Sequence, residues 1–175
     1  MIATSSGGRH SARYFGEIRG TVTAPRGGAR RTLAELSLPS EPGNERRATE
    51  EVARAVSGLG LSQRTLERLK TAVAEATMNA MEHGNHYQAE LPVLIKVSVS
   101  EADLSVKITD EGIGPPVFHS ETPDLEAKLE GMQKPRGWGL FLIQNMVDDM
   151  NVTVDQHHHT IELILHLDGG VVGSK

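Results

Sequence analysis

The chain has 175 residues, of which 38% are hydrophobic and 23% charged, a composition typical of one globular domain with a short extension. It contains no cysteine, which excludes a disulfide framework, a thiolate zinc site and a cysteine nucleophile. The net charge of −5 is unevenly distributed, because residues 1–32 hold six Arg and one acid, which leaves −10 on the remainder. We therefore expect that this acidic body does not bind nucleic acid.

The first segment of the chain, residues 1–31, is rich in Arg and Gly and has little periodic apolar content, so we expect a disordered tail. It lacks the continuous apolar core of a signal peptide. No apolar run approaches the roughly 18 residues of a membrane span. We therefore expect a cytoplasmic protein without membrane contact, in which a folded domain over residues 32–168 precedes a flexible C-terminal tail over residues 169–175.

The first predicted elements are a strand over residues 32–38 and a helix whose apolar positions recur from Ala48 until Gly60. Ser62 is a candidate cap for a second helix, which extends to Gly84. One face of that second helix carries only small side chains, which would let it approach a neighbouring layer closely. These side chains are Ala72, Ala76, Ala80 and Gly84.

A long connection divides the rest of the domain, since residues 111–136 contain three Gly and four Pro without a sustained period, which is typical of a lid. A third helix is predicted from about Gly137 to Met150. Hairpins of strands are predicted over residues 92–100 with 104–110 and over residues 151–155 with 160–167. This order predicts an α+β fold, a two-layer sandwich with a mixed, largely antiparallel sheet and its helices on one face.

Three polar clusters mark candidate sites, and the first lies near the end of the second helix. Glu75, Asn79 and His83 fall at i, i+4 and i+8, so an α-helix places them on one stripe. On this stripe a carboxylate and a carboxamide can point at one ligand, and the uncharged side-chain oxygen of Asn79 can itself serve as a metal ligand. The structural alternative is a polar stripe that faces water.

The second cluster is the segment Asp110-Glu-Gly-Ile-Gly114, which directly follows a predicted strand. Its two glycines, Gly112 and Gly114, allow a sharp turn and a close approach of the backbone to a ligand. A carboxylate at a strand end accepts a hydrogen bond from an exocyclic amine such as that of adenine, so Asp110 is a candidate for base recognition. Alone, the same letters also form an ordinary turn.

The third cluster lies at the predicted start of the third helix and consists of Lys134, Arg136, Gly137, Gly139 and Leu140. Glycine amides and the positive end of a helix attract an anion, and the two basic side chains add charge. Phosphate is the natural occupant, although a glycine turn that only begins a helix fits the same residues.

A run of three histidines, His157 to His159, suggests a metal site at first sight. Neighbouring residues of a hairpin alternate faces, so the three side chains are not expected to converge on one ion. We therefore expect a solvated turn here.

In this order, the three clusters resemble the N, G1 and G2 boxes of the histidine-kinase-like ATPases. Within that superfamily, residues 32–167 are similar to the anti-sigma factor serine kinases. The segments that carry the resemblance are the opening strand, Glu75 to Gly84, Asp110 to Gly114 and Arg136 to Ile143.

The resemblance implies a site for ATP and Mg²⁺ between the second helix and the lid. By this resemblance Glu75 matches the general base of the family and Asn79 matches its magnesium ligand. Asp110 matches the adenine-binding aspartate, with Gly112 and Gly114 beneath the base. The other residues that the resemblance assigns to nucleotide binding are His83, Lys134, Arg136, Gly137, Gly139 and Leu140.

The resemblance further implies a serine/threonine protein kinase that phosphorylates an anti-anti-sigma factor on serine, sequesters a sigma factor and so regulates transcription. A homodimer formed through the first strand and helix is expected from relatives. One alternative is a non-catalytic ATP- or ADP-binding module that switches the binding of a phosphatase or sensor. Another is the detached ATPase half of a histidine kinase, acting on a separate histidine protein. The presence of Glu75 favours the enzyme.

Overall fold

The computed structural model describes residues 29–112 and 138–167. Their strands are β1 (Arg31–Leu38), β2 (Val93–Val99), β3 (Asp103–Asp110), β4 (Asp149–Val154) and β5 (His159–His166). Their helices are α1 (Asn44–Ala55), α2 (Gln63–Asn79) and α3 (Trp138–Met146), with a 3-10 turn at Ser57–Leu59 and a π-helical turn at Ala80–Gly84.

The five strands form one sheet in the order β1-β2-β3-β5-β4, and every neighbouring pair is antiparallel. The helices pack on one face of this sheet and share a single apolar core with it. The predicted α+β two-layer sandwich is therefore confirmed. Among the helices that the structure describes, none combines the length and apolar character needed to span a bilayer.

The core is built from alternate residues of the central strands and from the small face of α2. In β3, Leu104, Val106 and Ile108 face the helices and are at most 1% exposed. On α2, Ala72 and Ala76 are fully buried, as their spacing predicts. Small side chains let the helix axis lie close to the sheet, so the polar positions of the same helix are held at a fixed distance from the strand ends.

The start of α2 follows the prediction and its end does not. Ser62 has extended backbone, and its Oγ accepts a hydrogen bond from the Thr65 N–H at 3.1 Å, which is the predicted cap. The α-helix ends at Asn79 and continues as the π-helical turn, in which the Asn85 N–H donates to the Ala80 carbonyl at 2.9 Å. A π turn winds more loosely than an α-helix, so the single stripe through His83 is wrong, and His83 is exposed.

The third helix is shorter than predicted, because α3 ends at Met146 rather than at Met150. Asp148 ends it: its Oδ2 accepts the His166 N–H at 2.8 Å, and its Oδ1 pairs with Arg68 at 3.1 Å. Met150 instead lies in β4, where it is half-buried. Its apolar spacing fits a helix and a strand equally well, so the pattern alone placed it in the wrong element.

A fully buried asparagine ties three separate segments together. The Asn85 Nδ2 donates to Ser40 Oγ after β1 and to the Leu91 carbonyl before β2, both at 2.9 Å. Its Oδ1 accepts the Glu111 N–H at 2.8 Å, directly after β3. Asn85 therefore fixes the chain immediately after the last residue of the central strand.

We expect Asn85→Ala to lower the free energy of unfolding by about 2–3 kcal/mol, because it removes the hydrogen bonds of a fully buried amide and leaves the part-buried Glu111 N–H without this acceptor. Urea denaturation measures this change. The matched control is Asn151→Ala, at an exposed residue whose amide makes one long contact of 3.4 Å with Glu162. Equal effects of the two substitutions would contradict the assigned role of Asn85.

Candidate ATP-binding site

The site is organised around Asp110, the last residue of the central strand β3. Asp110 continues the alternation of Leu104, Val106 and Ile108, so its side chain faces the helices, and the residue is only 7% exposed. A charged group at this depth requires polar neighbours.

Both contacts of the Asp110 carboxylate fall on one oxygen. The Gly112 N–H donates to Oδ1 at 2.9 Å, and His159 Nδ1 lies 3.2 Å from the same atom. Within residues 29–112 and 138–167, no group donates a hydrogen bond to Oδ2. Burial raises the pKa of the Asp110 carboxyl above its ordinary value of 3.8, while the Gly112 amide and the His159 ring oppose that rise. The site therefore holds a largely buried carboxylate whose Oδ2 can accept a hydrogen bond from a ligand donor.

Two glycines make room for this carboxylate. A Cβ at Gly84 would lie 2.5 Å and 2.6 Å from the two Asp110 oxygens, and a Cβ at Gly112 would lie 2.7 Å from Oδ1. All three distances are shorter than van der Waals contact, so neither Gly84 nor Gly112 accepts a side chain without displacing Asp110. The close backbone approach predicted for Gly112 is thus made to Asp110. Gly84 was predicted only as part of the small helix face and not as a site residue.

The second part of the site lies where α2 meets the start of α3. A Cβ at Gly139 would lie 3.0 Å from Asn79 Nδ2, 3.2 Å from Asn79 Oδ1 and 3.4 Å from Glu75 Oε2. The structure therefore brings the first and third predicted clusters together at these three residues. Leu140 follows on α3 and is packed against the apolar core.

Glu75 and Asn79 are half-buried, yet no described residue forms a hydrogen bond or an ion pair with either side chain. Polar side chains that are largely buried between elements normally form such contacts. Their oxygens are of the kind that Mg²⁺ prefers, and a carboxylate is also a suitable proton acceptor. The arrangement can therefore accept a cation bound to a ligand and a hydroxyl group that gives up its proton to the carboxylate.

The two parts of the site are connected by one continuous helical segment. Gly84, against Asp110, follows Asn79 by five residues, which corresponds to about 7 Å along a helix axis. An elongated ligand can thus contact the Asp110 carboxylate at one end and the Glu75 and Asn79 side chains at the other.

One predicted site residue, His83, is not brought to this place, and four others are not among the described residues. His83 points to solvent on the π-helical turn. Gly114, Lys134, Arg136 and Gly137 lie outside the described residues, as does most of the predicted lid. Within the part of the chain that the structure describes, no group of three or more His, Cys, Asp or Glu side chains could hold a metal ion.

His159 is the site residue that sequence reasoning missed. Asp155 Oδ1 accepts the N–H groups of His157 and His158, both at 2.8 Å, and these two residues form the expected turn. His159 instead begins β5, opposite Asp110 in the register, and is 9% exposed. The expectation of a solvated turn is wrong for this one residue. The available signal was the alternation of β5, in which His159 shares a face with Ile161, Leu163 and Leu165.

Comparison with known proteins agrees with this geometry. A family model described as "Histidine kinase-like ATPase domain" matches residues 38–165. Curated proteins named anti-sigma F factor, from Bacillus thuringiensis and Bacillus mycoides, are 32% identical over 125 residues, which cover 67% of this chain and 80% of each relative.

Two solved structures share the fold. The RsbU and RsbW domains of a Mycobacterium tuberculosis protein match with a TM-score of 0.56 and 13% identity over 83% of this chain, which spans 35% of that longer chain. The SiaB–SiaC complex of Pseudomonas aeruginosa matches with a TM-score of 0.56 and 13% identity, over 77% of this chain and 90% of the matched chain.

The match over residues 38–165 shows that the chain belongs to the histidine kinase-like ATPase domain family, which is an ATP-binding domain. Within that family its similarity is to anti-sigma factors, so the resemblance to the anti-sigma factor kinases is confirmed.

The substitution Gly139→Ala should weaken the binding of Mg-ADP by about tenfold, because the new Cβ displaces the Asn79 amide. The fold itself should not suffer, since Ala favours a helix by roughly 0.5–1 kcal/mol over Gly. Isothermal titration calorimetry and thermal melting separate the two effects. Gly58→Ala is the matched control, since a Cβ there meets nothing within 4 Å. Unchanged affinity in Gly139→Ala would remove this glycine from the site.

The substitution Asp110→Asn should abolish detectable ADP binding, because an NH₂ group in place of Oδ2 faces the hydrogen-bond donor of the ligand. At neutral pH, the free energy of unfolding of the variant should equal or exceed that of the wild type. The folded-state pKa of Asp110 lies above 3.8, so wild-type stability is lost as pH rises from that value through the raised pKa. The stability advantage of the variant should therefore grow as the pH rises from about 4 and become constant once the pH exceeds the raised pKa of Asp110. Urea denaturation across this interval would show an advantage that shrinks with pH if the assignment were wrong.

Proposed function

We propose that the chain is a Mg-ATP-dependent serine/threonine protein kinase and an anti-sigma factor, which phosphorylates a serine of an anti-anti-sigma partner in the cytoplasm and sequesters a sigma factor. The observation that supports the enzyme is the half-buried Glu75 carboxylate beside Asn79 and Gly139, with which no residue of the described ranges 29–112 and 138–167 forms a hydrogen bond or an ion pair. The names of the curated relatives support the anti-sigma role.

At the base end of the site, Asp110 accepts a hydrogen bond from the exocyclic amine of adenine through Oδ2. The acceptor is strong because it is charged and belongs to a side chain that is only 10% exposed. Gly84 and Gly112 keep the space around it open. This end supplies the affinity for the nucleotide and its discrimination from other purines.

At the phosphate end, Asn79 would hold Mg²⁺ through its carboxamide oxygen. The cation, when bound, neutralises phosphate charge, which is a large part of phosphoryl-transfer catalysis. The amides of Gly137 and Gly139, with Lys134 and Arg136, bind the phosphates at the start of α3. Leu140 completes the proposed set of nucleotide contacts, and the exposed His83 is not part of it.

Glu75 acts as the general base. It orients the serine hydroxyl of the partner protein and accepts its proton as the oxygen attacks the γ-phosphorus and the bond to the ADP oxygen breaks. A positioned base contributes about 10²–10⁴-fold to such a reaction. The half-buried position of Glu75 leaves it within reach of a protein substrate.

The proposed dimer partner is a second copy of the chain. We expect β1 and α1 together to form the contact between the two copies. β1 lies at an edge of the sheet, so one side of its backbone is not paired with another described strand.

The test is transfer of labelled phosphate from Mg-ATP to anti-anti-sigma-like proteins encoded beside this chain, with the product mapped by mass spectrometry. We expect phosphoserine on one partner. Glu75→Gln should reduce transfer by about 100-fold or more and leave ADP affinity within about twofold, because the change removes the base and no binding contact.

Glu67→Gln is the matched control on the same helix, since Glu67 is exposed and pairs only with neighbouring surface residues. Its transfer rate should equal that of the wild type. Transfer that survives Glu75→Gln would show that Glu75 is not the base. Tight ADP binding without transfer to any candidate would favour the nucleotide-gated binding module.

A further inference from the structure

The site contains a buried imidazole that the proposed reaction does not use. His159 stands at the first position of β5, opposite Asp110 in the antiparallel register. Its side chain is 11% exposed and that of Asp110 is 10% exposed, so the two groups meet away from bulk water. A titratable pair at this depth is rare unless each partner stabilises the other.

The contact is specific to one carboxylate oxygen. His159 Nδ1 lies 3.2 Å from Oδ1, and the Gly112 N–H donates to that same oxygen at 2.9 Å. Two contacts on Oδ1 fix the rotation of the carboxylate about its last bond. Oδ2 is then held in a single direction, which suits a hydrogen bond whose strength depends on angle.

The imidazole also affects the charge of the carboxylate. Burial raises the pKa of Asp110, and the charge and hydrogen bond of His159 lower it again. Without His159 the carboxyl would take up a proton at a higher pH and would lose its charged acceptor. The ring therefore helps to keep Asp110 ionised in a dry environment.

The other charged groups near this pair are few. His158, in the turn before β5, also lowers the pKa of Asp110, but it lies 3.3 Å from the exposed Asp155 and is itself exposed. The π-helical turn that carries Gly84 also carries Glu82 and His83, of which His83 is exposed. On β4, the register partner of His159 is the uncharged Val154. Among the residues that the structure describes, His159 is thus the titratable side chain in direct contact with Asp110.

We propose that His159 is a positioning residue for nucleotide recognition, which holds the Asp110 carboxylate ionised and aimed so that Oδ2 can accept the adenine amine. The inference rests on the proposed nucleotide site and adds a residue that determines its affinity and its tolerance of acid. It predicts that the imidazole acts through Asp110 and not through the ligand phosphates.

The test measures ADP affinity between about pH 5 and about pH 8, the interval in which imidazoles ordinarily change charge. His159→Leu should bind ADP about tenfold more weakly at the upper pH, because the carboxylate loses a partner. His159→Gln should restore affinity to within about threefold, since its amide can donate to Oδ1. In both variants the acid-side loss of affinity should begin at a higher pH than in the wild type.

The matched control is His166→Gln at the far end of β5, seven residues and about 23 Å away along the strand. His166 is exposed and pairs with Asp149, so its substitution should change neither the affinity nor the pH profile. Thermal melting of each variant reports whether the fold is intact.

The inference would be overturned if His159→Leu bound ADP as tightly as the wild type and lost this affinity at the same acidic pH. It would also be overturned if His159→Gln lost its ADP affinity at the same acidic pH as the wild type. A purely structural role of His159 would be restored by Gln without any change in the pH dependence of binding. If the wild type binds no ADP, or Asp110→Asn binds as well as the wild type, the proposed function fails and this inference fails with it. Loss in Asp110→Asn with no effect in His159→Leu removes this inference alone.

Discussion

The structure depends on one constraint, which is the burial of the Asp110 carboxylate at the end of the central strand. Burying a charge is costly, and here the cost is only partly offset by the Gly112 amide and the His159 ring, as the raised pKa of Asp110 shows. The surrounding chain is arranged accordingly. Gly84 and Gly112 leave the carboxylate its space, and Asn85 fixes the backbone that follows it. Such a group is typical of sites that bind a ligand at the expense of stability.

The second feature that follows from this constraint is the role of α2. Its small face lies deep in the core, so the helix cannot shift without opening cavities. The same rigid element carries Glu75 and Asn79 and, after the π-helical turn, Gly84. One helix therefore sets the spacing between the base end and the phosphate end of the site.

Much of this architecture could be predicted from local patterns, because the cap at Ser62, the small face of α2 and the alternation of β3 each follow from a single period. The π-helical turn could not, since the letters after Asn79 fit an α-helix and the change depends on the buried bonds of Asn85. The position of His159 also depends on a long-range pairing, that of β5 with β3. The roles of Gly114, Lys134, Arg136 and Gly137 stay predictions.

The central claim is that Asp110 Oδ2 accepts the exocyclic amine of adenine. The most direct measurement compares the affinity of the protein for ADP and for purine riboside diphosphate, which lacks only that amine, in the wild type and in Asp110→Ala. We expect the wild type to prefer ADP by about tenfold or more and this preference to disappear in the variant. Equal affinity of the wild type for the two nucleotides, or a preference that survives in Asp110→Ala, would contradict the claim.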